Sequence, residues 1–260
     1  MKAIAIAAAL AVTCLASPAA YAEDPEISAR RTSERKAFSD SEIIEGFFRT
    51  AFGAELAVGA EPNRIRKFGA PVRVFVDSRA RPDRSAEVRQ VVETIRASIQ
   101  HLDIAITDNR AAANMVVTLV RDQDLPRTIQ RFFGRVHARQ IENSLTPQCL
   151  SSFRKDEAYR IVQADVILVA DAGEFVFYDC VYEEMLQALG PINDTDAVPW
   201  TMFNDHVRMG FFDVYDQYLL NILYHPRIQP GMDIDQVRVL FPEVLADVKG
   251  FIARSNNLVP

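Results

Sequence analysis

Histidine is scarce in this chain, and the scarcity sets the first limit on its chemistry. Only His101, His137, His206 and His225 occur in 260 residues, and no two stand four apart. That excludes the paired imidazoles by which one helical turn grips zinc. There are three cysteines and no Cys-x-x-Cys, which argues against a redox-active pair. No Gly-x-Ser-x-Gly element surrounds Ser151 and Ser152, so a serine nucleophile has no support. Acidic residues outnumber basic ones, 35 to 29, for a net charge of −6. No basic stripe interleaved with aromatics is evident, so a nucleic-acid partner is not expected. Beyond the first residues no apolar run is long and uncharged enough to cross a bilayer, which takes about 20 residues. Asp165 interrupts the most apolar stretch and Asp171 ends it. Internal repeats and low-complexity tracts are absent.

What is present begins with a secretory pattern. Lys2 precedes an apolar core from Ala3 to Val12, Ser17-Pro18 breaks it, and Ala20-Tyr21-Ala22 is a small-x-small cleavage site. Residues 1–22 are therefore expected to be a signal peptide, placing the mature chain in the periplasm or outside the cell. Thr13 before Cys14 argues against lipidation, and cleavage after Ala22 removes that cysteine. Cys149 and Cys180 remain, an even pair best read as one disulfide. It would close a loop of about 30 residues and stabilise by about 3–4 kcal/mol on the chain-entropy view.

Hydrophobic residues make up 49% of the chain, enough for a proper core. Residues 23–37 are polar and read as a solvated, flexible leader. Residues 38–260 read as one domain. Ser39 and Glu42 form a capping box ahead of Ile43, Phe47 and Phe48 at helical spacing. Pro71 to Val76 reads as a strand. Val88, Val91, Val92, Ile95 and Ile99 make one helical face. Ile104–Thr107, Met115–Val120 and Ala164–Ala170 read as strands, and 122–145 as partly helical. A helix from about Val176 to Leu189 ends at Gly190, which suits a left-handed position. Val214 to Leu223 forms another helical face, and two short helices near 233–240 and 242–255 close the chain. The fold class is α+β: a mixed sheet packed with helices, then a mainly helical C-terminal part.

The segment richest in chemistry is Cys180-Val181-Tyr182-Glu183-Glu184-Met185-Leu186-Gln187-Ala188-Leu189-Gly190. A zinc-peptidase helix reads His-Glu-x-x-His-x-x-Gly. Its two histidines share a face and hold the metal, and its Glu serves the metal-bound water as general base. Here Glu183 and Gln187 stand where the histidines would be, and Glu184 stands at the general-base position. Asn193 falls where a third ligand would approach. Glu183 and Glu184 equally suit the polar face of an amphipathic helix, and Gln187 suits a hydrogen bond to a neighbouring loop.

This segment resembles the bacterial family catalogued as domain of unknown function 2927, a zincin-like group of exported proteins. The resemblance extends to Arg64-Ile65-Arg66-Lys67-Phe68 with Pro71 to Val74, Ala113 to Val117, Phe203-Asn204-Asp205 and Leu219 to Tyr224 with Pro230-Gly231-Met232. It implies a zincin-like fold with the ligands changed. A carboxylate and an amide hold zinc poorly, and without metal Glu184 meets water of pKa near 15.7 rather than about 7.

Three functions follow as expectations. The first is a non-catalytic protein of the envelope, a pseudoenzyme whose cleft binds an envelope protein or an extended peptide along a sheet edge, with Pro71 to Val76 as the candidate edge. The second is a hydrolase with an oxygen-rich metal site made of Glu183, Gln187 and Asn193 or Asp194. The third is a calcium-stabilised module built on Asn193, Asp194, Asp196, Asn204 and Asp205. No resident cofactor is expected in the first; zinc and calcium belong to the other two. Met202 and His206 are further candidates near the metal position, Met202 also suiting a plain core role.

Overall fold

A computed structural model describes residues 23–52, 63–144, 148–191 and 193–258. The signal-peptide expectation for 1–22 lies outside the described residues. A six-stranded sheet forms the centre: β1 (Lys67–Phe68), β2 (Val72–Ser78), β3 (Ile104–Ile106), β4 (Met115–Val120), β5 (Cys149–Lys155) and β6 (Arg160–Val169). Around it lie α1 (Pro25–Ser33), α2 (Asp40–Ala51), α3 (Ser85–Ser98), α4 (Leu125–Ser144), α5 (Glu174–Gln187), α6 (Val214–Tyr224) and α7 (Ile234–Ser255).

The strands follow from β-branched alternation. In β4 and β6, Met115, Val117, Leu119, Ala164, Val166 and Leu168 are fully buried on one face, against the main core shared with α3 and α5. Val120, Ile167 and Val169 point to the other face and meet Leu125, Ile129, Ala138 and Ile141 of α4. The two side-chain sets alternate because successive residues of a strand face opposite ways.

Strand order is β1-β6-β4-β2-β3, with β5 also on β6. All pairs are parallel except β5 with β6. Ile161 pairs with both Phe68 and Lys155, so β1 and β5 flank opposite sides of β6. The long exposed edge is therefore β5. The expectation that Pro71 to Val76 supplies the edge is corrected: β2 is interior, bonded to β4 on one side and β3 on the other.

The helices largely obey their sequence signals. Ser39 and Glu42 close the capping box reciprocally, Glu42 N–H donating to Ser39 Oγ at 3.3 Å and Ser39 N–H to Glu42 Oε2 at 2.8 Å. Two expectations are corrected. Residues 25–33, read as a solvated leader, form α1, capped by Asp24 and anchored by buried Ile27. Its arginines rest on aromatic faces supplied from far away, Arg30 on Phe175 and Arg31 on Phe211. The C-terminus is one helix, α7, with Pro242 inside it. A helical proline costs about 3 kcal/mol. Val237, Phe241, Val244, Leu245, Val248 and Ile252 all bury on one side of α7 and outweigh that cost.

A carboxylate-lined helix end beneath the edge strand

Helix α5 is buried nearly all round, so its few polar side chains mark a deliberate site. Buried residues include Phe177, Val181, Met185 and Leu186, and also Glu184 and Gln187. The helix stops at Gln187, with Ala188 as its cap. Gly190 follows at φ 141°, and a Cβ there would sit 2.2 Å from the Arg66 carbonyl oxygen. The turn at Gly190 expected from the sequence is thus present, two residues beyond the cap. It is fixed by close backbone approach as well as by positive φ.

Gln187 is the hub. Its Nε2 donates to Asp194 Oδ1 at 2.6 Å, and its Oε1 accepts from Ser151 Oγ at 3.4 Å. The end of α5, the following loop and edge strand β5 are thereby joined. Glu183 lies one turn earlier on the same side. Burial first, and then the carboxylates of Glu184, Asp194, Asp179 and Asp205, push its pKa well above the ordinary value. Asp179, another turn back, is also raised by burial, although it accepts from Met209 N–H at 2.8 Å and Gly210 N–H at 3.3 Å.

Asn193 turns elsewhere. Its Nδ2 donates to the Arg49 carbonyl at 2.8 Å, at the end of α2. Asp194 instead joins Gln187. Asn204 in the oxygen-rich loop serves turn chemistry: its Nδ2 donates to the Val198 carbonyl at 3.0 Å and its Oδ1 accepts from His206 N–H at 3.0 Å. The His206 ring is exposed, 3.8 Å from Asp196. Met202 is buried, its N–H held by Asp216 Oδ2 at 2.8 Å.

Among the described residues, no group of three or more His, Cys, Asp or Glu side chains is disposed to hold a metal ion. Gln187 and Asn193 spend their amides on protein partners.

Cys149 on β5 and Cys180 on α5 form the expected disulfide, with a sequence separation of 31. It joins the edge strand to the helix two turns before Gln187. The phase of β5 follows from Val169 N–H donating to the Gln148 carbonyl at 3.2 Å. Antiparallel pairs alternate, so Leu150 and Ser152 bond to β6, and Ser151 and Phe153 present their N–H and C=O groups outward. Among the described residues no strand pairs on that side. Sequence reasoning weighed Ser151 only as a nucleophile. The alternation of Cys149, Ser151 and Phe153 against Leu150 was the signal that β5 is a strand facing α5.

Fold and site thus define a mixed α/β protein with a disulfide-tied antiparallel edge over a carboxylate-lined helix end. The family described as "Protein of unknown function (DUF2927)" matches residues 40–243, and the chain belongs to it. No curated protein and no solved structure matches the chain.

Proposed function

We propose that this is an exported, non-catalytic, zincin-like protein whose edge strand β5 and underlying helix α5 form a binding cleft for an extended polypeptide of the bacterial envelope. The observation that carries the reading is the Ser151–Gln187–Asp194 chain of hydrogen bonds. It occupies the helix face where a peptidase would hold zinc and spends those side chains on structure. The zincin-like part draws support from the order of elements. An antiparallel edge strand is followed by β6 and then by a helix that stops at a glycine turn. Export is supported by the disulfide, which persists in oxidising compartments. No helix among the described residues is long and apolar enough to cross a membrane.

The binding mode follows from the unpaired edge. Outward backbone groups of Ser151 and Phe153 can pair with a third strand, and such pairing recognises extended chains with little demand on their sequence.

The test selects extended peptides from a random library on the mature, disulfide-intact chain, then follows amide hydrogen exchange. Protection at Ser151 and Phe153 on binding is expected. Ser151→Pro, which deletes one outward donor, should remove binding, whereas Ser151→Ala, which loses only the hydroxyl bond to Gln187, should bind as the wild type does. Peptide cleavage that needs stoichiometric zinc and is abolished by Glu184→Gln would overturn the non-catalytic reading. Selected peptides that protect other segments would overturn the edge.

A further inference from the structure

The least neutralised part of the molecule lies on the opposite face of the sheet. Residues 125–141 contain four arginines, Arg127, Arg131, Arg135 and Arg139, and no carboxylate, within a chain of net charge −6. Many arginines elsewhere on the surface meet acids, among them Arg49 with Glu45, Arg73 with Asp103, Arg89 with Asp108 and Arg121 with Asp124. Among the described residues no ion pair engages the four arginines of α4.

The backbone brings three of them together. α4 is interrupted at Gly134, whose φ of 75° and ψ of 165° are open essentially to glycine alone. A Cβ at Gly134 would meet nothing within 4 Å, so the glycine answers to the backbone turn and not to packing. Residues on both sides of this kink line one cleft of about 290 Å3: Pro126, Arg127 and Gln130 before it, Arg135, Ala138 and Arg139 after it. Buried Leu125 and Ile129, with Ala138 and Ile141, fix both halves on the sheet.

We propose that this cleft binds a phosphate-bearing anion, gripped by Arg127, Arg135 and Arg139 with the Gln130 amide as a neutral donor. Each guanidinium offers a planar fork of donors that matches two oxygens at once. Forks arriving from both sides of the kink suit an acceptor with oxygens on several sides. A tetrahedral phosphate presents them; a planar carboxylate has only two, in one plane. The small volume favours one compact group of high charge over a polymer. Free phosphates and lipid headgroups share this chemistry.

The experiment is calorimetric titration of the mature, disulfide-intact chain at low salt with two probes. One is inorganic pyrophosphate; the other is phosphatidylcholine vesicles with or without phosphatidic acid. Pyrophosphate should bind, more weakly as salt rises, and Arg135→Gln/Arg139→Gln should weaken it by about tenfold or more. Gly134→Ala should also weaken it although the charge is unchanged. Arg89→Gln, an exposed arginine of α3, should bind as the wild type does. Binding confined to phosphatidic-acid vesicles, and lost in the same double variant, also supports the site and assigns the phosphate to a lipid headgroup. Absence of binding to both probes, or equal binding by wild type and double variant, overturns the proposal. Peptide binding at β5 does not enter any of these readouts.

Discussion

Gln187 holds Asp194 by a 2.6 Å hydrogen bond from its amide, while the same side chain accepts from Ser151 on the edge strand. Helix α5, the loop after it and β5 are locked by one residue. Gln187→Ala should therefore lower unfolding free energy by about 1–3 kcal/mol, the cost of stranding partly buried polar partners. Gln187→Glu should be worse at pH 7 than at pH 5, because it adds a carboxylate beside Glu183, whose proton affinity is already raised by its acidic neighbours. Urea titrations at both pH values check this; equal losses at both would contradict the electrostatic part.

The element most sensitive to rising pH is a buried pair at the start of α6, Asp213 and Asp216. Asp213 caps the helix, accepting from Tyr215 N–H at 2.8 Å and Asp216 N–H at 3.1 Å. Asp216 holds the turn at Thr201-Met202, accepting from Thr201 Oγ1 at 2.5 Å and Met202 N–H at 2.8 Å. Burial raises the Asp216 pKa to about 6, and burial followed by the Asp216 charge raises that of Asp213 further above its usual value. A carboxyl with a raised folded pKa binds more protons folded than unfolded. Its contribution is complete below its unfolded pKa, near pH 4, and is lost as pH rises through the folded value. Asp213→Asn keeps the cap oxygen and removes one charge. It should leave stability at pH 4 nearly unchanged and add about 1–2 kcal/mol at pH 7.5. Denaturation midpoints across this range give the answer, and a variant with the wild-type pH slope would refute the coupling.

Reduction of Cys149–Cys180 frees the edge strand from α5. For a loop with a sequence separation of 31 the cost is about 3–4 kcal/mol. Cys149→Ser/Cys180→Ser should melt correspondingly lower than the wild type, and reductant should lower only the wild type.

Gly190→Ala sets a methyl against the Arg66 carbonyl at a backbone φ of 141°. Both effects oppose folding, and a loss of about 2–4 kcal/mol is expected. Gly134→Ala has the backbone cost alone, because nothing lies within 4 Å of its Cβ. It should cost less, and thermal melts of the two variants side by side distinguish them.

Much of the architecture was legible because its signals are local. The Ser39–Glu42 box, the β-branched run of β4 and the Val88–Ile95 face of α3 each declare an element without help from distant residues. The misread parts depend on partners. Ile27 alone cannot announce α1; Phe175, Phe211 and the backbone around Gly210 supply its seat. β5 reads as polar because Ser151, Ser152, Arg154 and Lys155 sit on an edge, where half the strand faces water or the cleft. Pro242 seemed to divide α7 because a helix-breaking cost is visible in sequence and the burial opposing it is not.

At the site, the frame Glu183–Gln187–Gly190 was legible from spacing, and so was the disulfide. Which of Asn193 and Asp194 joins Gln187 was not. It turns on the Arg49 carbonyl, 144 residues away in sequence, which draws the Asn193 amide toward α2. The arginine cleft of α4 escaped for a related reason. A four-residue period reads as a solvated stripe until Gly134 kinks it.

The central proposal is that α5 is a metal-clamp helix whose ligands have changed, with Gln187 at one gripping position committed to hydrogen bonds. Elemental analysis of the chain, purified without chelator and with its disulfide intact, tests this most directly. The account predicts zinc and other transition metals far below one ion per chain. One zinc per chain that survives gel filtration and is lost on Glu183→Ala or Gln187→Ala would contradict it.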